Sequence, residues 1–276
     1  MYELEKLLVM LLTEGSVSEA ARSWKISFKN KSKVFVKLFV NYFKKLYGRP
    51  PRIIRTKDGT YLAYIYSTEI AKKLLSIVGS FRTKACTEKP VCTLYLKQRE
   101  KHLKECVIFD EKPYHKIALP KTLFNSPLKE RREIVKILVS AEGHIVFSKI
   151  NGRRPNEIVR KILITCFHPL LREQFKKLIE SCGIKCSFEG RNRIRISGKD
   201  NLIKFRKEIG FLPEIKVSKG KVWKGISKQR LLSLLINSSF FADKFLFEYA
   251  GYSRKRMSTV PEVCPAAVCE TRFQPG

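Results

Sequence analysis

Two stretches of this 276-residue chain end an apolar run in a single acid followed by glycine: Leu7-Leu8-Val9-Met10-Leu11-Leu12-Thr13-Glu14-Gly15 and Val135-Lys136-Ile137-Leu138-Val139-Ser140-Ala141-Glu142-Gly143. A helix that is hydrophobic nearly all round is normally buried, here against its twin. The C-terminal end of a helix is the unfavourable pole for a carboxylate. Two such ends packed side by side would hold Glu14 and Glu142 together, each raising the other's cost of ionising. A divalent cation neutralises such a pair, and hard oxygen donors suit Mg²⁺. Taken singly, either glutamate reads as the solvated last residue of a core helix before a glycine cap. Their duplication at equivalent positions is what points to a shared site.

The elements that must position these acids repeat as well. Residues 2–81 and 132–212 carry the same features in the same order. After each Glu-Gly comes β-rich sequence: Trp24-Lys25-Ile26-Ser27-Phe28-Lys29 alternates polar and apolar, and Lys161-Ile162-Leu163-Ile164-Thr165-Cys166-Phe167 is its more apolar counterpart. An amphipathic helix follows with one shared tetrapeptide, Phe43-Lys44-Lys45-Leu46 and Phe175-Lys176-Lys177-Leu178. A hairpin comes next, turning at Lys57-Asp58-Gly59-Thr60 in the first copy and near Gly190-Arg191-Asn192 in the second. A last helix closes each copy on Gly79-Ser80-Phe81 and Gly210-Phe211-Leu212. Each copy therefore reads αββαββα, and the fold class is α+β.

Three segments are expected: 1–125, the first unit with its linker; 126–250, the second unit with a C-terminal helix beginning at Ser227-Lys228-Gln229-Arg230; and 251–276, a Pro-interrupted tail expected to be disordered. Ser126-Pro127 reads as an N-cap with proline in the first turn of the second Glu-Gly helix.

The chain carries 56 Lys+Arg against 25 Asp+Glu, a formal charge of +31. Hydrophobic residues make up 44 %, enough for packed cores, so global disorder is excluded. The basic residues run through the whole chain, which points to a folded nucleic-acid-binding surface and not to a basic arm. No apolar run approaches the roughly 20 residues of a membrane span. The start, Met1-Tyr2-Glu3-Leu4-Glu5-Lys6, is too acidic for a secretory or transit leader, so an intracellular location is expected. Eight cysteines (86, 92, 106, 166, 182, 186, 264, 269) lack paired CxxC knuckles, and His102, His115, His144 and His168 show no recognisable ligand spacing. The spacing thus argues against structural zinc, and Cys166, Cys182 and Cys186 read as small core residues. Gly-rich phosphate loops and a serine nucleophile elbow are absent.

The two Glu-Gly helices, set in a repeated α-β-β-α-β-β-α order over about residues 2–250, resemble the paired motifs of single-chain LAGLIDADG homing endonucleases. The resemblance implies two pseudo-symmetric units packed through the motif helices, with saddle-shaped antiparallel sheets in the DNA major groove. It implies that Glu14 and Glu142 bind the catalytic metals, helped by the backbone carbonyls of Thr13 and Ala141. It implies Mg²⁺, with Ca²⁺ or Mn²⁺ able to substitute, and a supporting lysine after the last helix of each unit, which Lys84 and Lys216 match. The partner it implies is double-stranded DNA with a long asymmetric target, or intron RNA, bound by a monomer in a prokaryotic cytoplasm or an organelle.

Sequence reading is expected from the sheets, since a two-stranded ribbon fits the major groove. Lys25, Ser27 and Lys29 form one face of the first sheet, with Arg52, Arg55, Lys57 and Tyr61 around its hairpin. In the second unit the candidates are Lys161, Arg191, Arg193 and Arg195, the arginines alternating with Ile194 and Ile196, and Arg153 and Arg154 in an inserted loop. The leading expectation is a metal-dependent, site-specific double-strand endonuclease. The alternatives are a non-cleaving LAGLIDADG-type RNA maturase or transcription regulator, and a general basic nucleic-acid chaperone.

Overall fold

A computed structural model of the chain describes residues 2–149, 158–218 and 222–237. The first repeat runs α1 (Glu3–Glu14), β1 (Gly15–Ala20), β2 (Ser23–Asn30), α2 (Lys33–Tyr47), β3 (Arg52–Arg55), β4 (Tyr61–Tyr66) and α3 (Thr68–Val78). The connecting segment holds α4 (Thr93–Lys97), α5 (Arg99–Glu105), the two-stranded ribbon β5 (Cys106–Phe109) and β6 (Lys112–His115), and α6 (Lys121–Asn125). The second repeat runs α7 (Leu128–Glu142), β7 (Gly143–Lys149), β8 (Ile158–Thr165), α8 (Pro169–Glu180), β9 (Ser187–Glu189), β10 (Arg193–Ser197) and α9 (Lys199–Glu208), followed by α10 (Lys228–Asn237).

The duplicated order seen in the sequence is therefore the order of the elements. It extends to strand connectivity: the two four-stranded sheets run β1-β2-β4-β3 and β7-β8-β10-β9, antiparallel throughout. Placing the second strand of each repeat in the middle explains its composition. In β2 the inner face carries Ile26 and Phe28, and Phe28 stacks on Phe39 and meets Phe35 edge-on. In β8 Ile162, Leu163 and Ile164 are all buried, as a central strand with a nearly continuous apolar run should be.

The repeated tetrapeptide has a packing role. Phe43 and Phe175 sit at equivalent points on α2 and α8 and are buried in their cores, while Lys45 and Lys177 face solvent. Helix α2 begins at Ser32, whose hydroxyl accepts from the Phe35 N–H, and ends at Gly48 with φ +75°.

Helices α1 and α7 pack against each other. Leu7 through Leu11 are fully buried, as are Ile134, Val135, Leu138 and Val139; each such side chain contributes about 1.5–3 kcal/mol over its exposed state. The Lys6–Glu130 ion pair at 2.8 Å joins the two helices. The N-terminus of α7 departs from expectation: the helix starts one residue later, Pro127 is its cap residue, and the Ser126 hydroxyl donates back to the Leu123 carbonyl. Ser227 does cap α10, its hydroxyl accepting from the Arg230 N–H. The expected disordered tail, 251–276, lies outside the described residues.

Candidate metal centre and the sheet faces beside it

Glu14 and Glu142 are the last residues of α1 and α7, and in each case the next residue is the first of a strand. The helix passes straight into β structure because both glycines are extended, not left-handed: Gly15 has φ −105° and Gly143 φ −77°. Glycine is required here for closeness. A Cβ on Gly15 would lie 2.6 Å from the Leu11 Cα, and one on Gly143 would run into the Val139 carbonyl. The Glu-Gly pair is thus a sharp corner that leaves each carboxylate at the helix mouth.

Both carboxylates are half-buried. Burial raises the Glu14 pKa against the pull of Lys228. Burial, followed by the charge of Glu14, pushes Glu142 up to about 8. The two acids therefore sense each other, and at neutral pH the pair calls for a proton or a cation. Lys228 is the cation the chain itself provides. Its ammonium donates to the Ser140 carbonyl at 2.8 Å and the Gly143 carbonyl at 2.6 Å, at the C-terminal end of α7. Burial lowers Lys228 to about 8, although both glutamates hold it up.

Lys228 reaches this position through a hairpin that precedes α10. Val217 N–H donates to the Ile226 carbonyl, Gly225 N–H to Val217, and Lys228 N–H to Ile215. Lys216 pairs with Ser227 on the same hairpin. The hairpin walls an open cleft of about 830 Å³ that Glu14, Ser140 and Ala141 also line. Six lysines line it too: Lys29, Lys31, Lys33, Lys216, Lys224 and Lys228. So many ammonium groups around a recessed carboxylate suit a polyanion carried over a metal site.

Of the proposed active-site residues, Glu14, Ala141 and Lys216 share this cleft. The Thr13 hydroxyl donates back to the Val9 and Met10 carbonyls, so that side chain is occupied within α1. Lys84 is exposed and is not among the residues lining the cleft. Lys228 is the residue that the sequence did not reveal. No local motif marks it; its place follows from the hairpin, which returns the chain to the end of α7 from 85 residues away.

Strand register sorts the sheet candidates. Lys25, Ser27 and Lys29 face the same way as their partners Tyr66, Tyr64 and Leu62 on β4, and Arg52 lies opposite Tyr64. Arg55 pairs with Tyr61 on the other face, the one shared with buried Ala63, with its guanidinium 6.0 Å from the Tyr61 ring. Arg55 and Tyr61 thus do not join the Lys25 face. Tyr64 and Tyr66 take their place: Lys25 lies 5.2 Å from the Tyr64 ring, and the two tyrosine rings meet edge-on. Ser27 bonds Ser16 at 2.9 Å and is nearly buried. Lys29 is paired with Asp58 at 2.8 Å across the exposed hairpin that also carries Lys57.

In the second sheet Arg193 and Arg195 share one face while Ile194 and Ile196 are buried, as the alternation predicts. Glu189 binds two of the expected contacts, Lys161 at 2.8 Å and Arg195 at 3.7 Å. Arg191 is almost fully exposed at the turn. His144 is exposed on β7, and Arg153 and Arg154 lie outside the described residues.

No family model matches the chain, and no curated protein matches it. Solved structures similar to it include the homing endonuclease I-DmoI in complex with DNA and Ca, at 14 % identity and a TM-score of 0.45, covering 77 % of this chain and 94 % of that one. The homing endonuclease I-WcaI bound to its DNA recognition sequence aligns at 14 % identity and a TM-score of 0.41, covering 77 % and 83 %. Full-length DUF199/WhiA from Thermatoga maritima aligns at 13 % identity and a TM-score of 0.42, covering 87 % and 66 %.

Proposed function

We propose that the protein is a site-specific, divalent-metal-dependent endonuclease of double-stranded DNA, of the two-repeat LAGLIDADG kind. The observation that carries this reading is the pair of helix-end glutamates that act on each other and on Lys228, with Glu14 and Lys228 lining a lysine-rich cleft. Two partly desolvated carboxylates that share Lys228 as their neighbouring cation fit hard divalent cations, and Mg²⁺ is the proposed cofactor, with Ca²⁺ or Mn²⁺ able to occupy the same oxygens. Glu14 and Glu142 would hold the ions, with the Thr13 and Ala141 carbonyls as further oxygen donors. When bound, such ions activate water and stabilise the developing charge of phosphodiester hydrolysis.

The chain's own residues do the rest. Lys228 neutralises the end of α7 and fixes the carbonyl on either side of Glu142, so that carboxylate is held at the corner. Lys216 and the lysines of the loop into α2 line the same cleft, where a scissile phosphate would sit. The two sheet faces would carry the flanking duplex, with Lys25, Arg52, Tyr64 and Arg193 among the contacts. A long asymmetric target follows from two similar but non-identical sheets in one chain, which also makes a monomer sufficient.

The test is to incubate the protein with a randomised duplex library and genomic fragments in Mg²⁺, sequence the cut ends, and run Glu14→Gln/Glu142→Gln beside it. Recurrent cuts at one long site, lost in the double variant while binding persists, are the expected result. Enrichment of a sequence without cutting by the wild type would instead assign the chain to the non-cleaving maturase or regulator class. No enrichment at all would reject sequence-specific DNA binding altogether.

A further inference from the structure

The connecting segment between α3 and α7 poses a problem of stability. Helix α4 buries no residue, α5 buries only His102, and Leu94, Leu96 and Ile108 are more than half exposed. Short helices and a two-stranded ribbon are marginal by themselves. A segment with so small an apolar core is ordinarily held by a disulfide or a metal.

At its centre, where a core would be, stand Cys86, Cys92, His102 and His115. One ligand atom from each lies within 4.8 Å of all the others. Cys86 Sγ is 3.2 Å from His102 Nε2, Cys92 Sγ is 3.3 Å from His115 Nε2, and Cys92 Sγ is 3.9 Å from His102 Nε2. Tetrahedral zinc with ordinary Zn–S and Zn–N lengths separates its ligand atoms by about 3.3–3.8 Å. Cys86, Cys92 and His102 are buried.

Each ligand comes from a different element, and the backbone fixes each one. Arg82 donates to the carbonyls of Ala85, Glu88 and Pro90, holding the loop that carries Cys86 and leads to Cys92. Cys92 N–H donates to the Cys86 carbonyl, and Cys86 N–H to the Pro113 carbonyl on β6. Cys92 stands at the start of α4, His102 lies in α5, and His115 ends β6.

We propose that Cys86, Cys92, His102 and His115 bind one structural zinc ion that organises the connecting segment. Two thiolates and two imidazoles with no carboxylate among them select zinc over Mg²⁺ or Ca²⁺. Four protein ligands close the site, so it is structural and separate from the glutamate pair. Cys106 stands beside it, 3.4 Å from His102 Nε2 and 3.9 Å from Cys86 Sγ, as a reserve thiol on β5. The irregular spacing of the ligands, unlike paired knuckles, is why the sequence argued against zinc; the loop held by Arg82 and the β5–β6 turn bring them together.

The site also ties the repeats to the segment between them. The His115 carbonyl accepts from His168 Nε2 at 2.7 Å, and His168 caps α8 through Nδ1. Gln174 of α8 then binds both the Ile117 carbonyl and the Leu119 N–H, while Ala118 N–H donates to Val78 at the end of α3. Loss of zinc should therefore loosen the junction between repeats, whatever reaction the glutamates serve.

The test uses the full chain, purified without chelator or a histidine tag under reducing conditions, with zinc measured by elemental analysis. About one zinc per chain is expected, retained in Glu14→Gln/Glu142→Gln and lost in Cys92→Ala and His115→Ala. In case those variants fail to fold, Co²⁺ added to zinc-stripped wild type should give the d–d bands of a tetrahedral ion together with thiolate charge-transfer absorption. Wild type that holds neither zinc nor Co²⁺ after reconstitution overturns the proposal. So does zinc that survives both ligand variants, zinc lost with the glutamates, or a Cys86–Cys106 disulfide found by mass in the protein as isolated from cells.

Discussion

Glu142 carries the largest electrostatic cost at the glutamate pair, and the cost has a definite sign. In the unfolded chain it ionises near 4.5, and in the folded chain near 8. Between those values the folded state keeps a proton that the unfolded chain has released, so stability falls as pH rises through that window and levels off above it. Glu142→Gln, which mimics the protonated acid, should match the wild type near pH 4.5 and exceed it by roughly 1–3 kcal/mol at pH 8 in the presence of chelator. Thermal unfolding across that range checks this; parallel curves for the two proteins would mean that the carboxylate is not desolvated. Mg²⁺ should raise the wild-type midpoint and leave the Glu14→Gln/Glu142→Gln midpoint unchanged. Lys228→Met removes the donor for two carbonyls at the end of α7 and should cost about 1–3 kcal/mol, and it should slow cleavage at least tenfold while leaving duplex affinity within a fewfold. Equal cleavage by Lys228→Met would deny Lys228 a positioning role. The glutamates were legible because each sits in a run whose periodicity and repetition are local. Lys228 was not, because one lysine among so many becomes special only when a hairpin folds it onto a helix end.

At the level of elements, the corner between motif helix and first strand is the feature most sensitive to a single methyl. Gly15→Ala and Gly143→Ala each put a Cβ into the preceding helical turn, against Leu11 in one case and the Val139 carbonyl in the other. Each should destabilise by about 1–3 kcal/mol, because in both cases the added Cβ meets main-chain atoms, the Leu11 Cα or the Val139 carbonyl, and not only a side chain that can turn away. Denaturant midpoints would settle this, and a silent Gly143→Ala would show that the corner can relax. The αββαββα order and the inner faces of β2 and β10 were readable, since strict alternation leaves one register possible. The hairpin β3–β4 was less so. Arg52 and Arg55 stand an odd number of positions apart, so they belong to opposite faces, and Tyr61-Leu62-Ala63-Tyr64-Ile65-Tyr66 is apolar on both sides and gives no parity of its own. The faces separated only once β4 was paired with β2. Tyr64→Ala should accordingly weaken duplex binding more than Tyr61→Ala, as measured by titration of a bound oligonucleotide.

For the molecule as a whole, 56 basic against 25 acidic residues leave a charge of +31 that only a polyanion can balance. If the cleft and sheet faces engage about six to ten phosphates, log K should fall against log salt with a slope of roughly −5 to −9. The two sheets should not contribute equally. Lys25 and Arg52 stand on the first face beside Tyr64, and neutralising either should flatten the slope by about 1. On the second face Lys161 and Arg195 already share Glu189, so part of their charge is spent within the sheet, and single alanine variants there should change the slope less. Glu189→Gln frees both cations at once and should steepen the slope and tighten binding at low salt. Lys176 serves as the control: it sits on α8, is paired with Glu180 at 2.5 Å, and is not on either strand face, so Lys176→Ala should leave the slope where it was. A uniform effect of all five cation-removing variants, Lys176→Ala included, would make the protein a diffuse basic surface with no oriented groove. A graded effect, with Glu189→Gln opposite in sign to the rest, would place the duplex along the two sheets and give the glutamate pair the substrate its position requires.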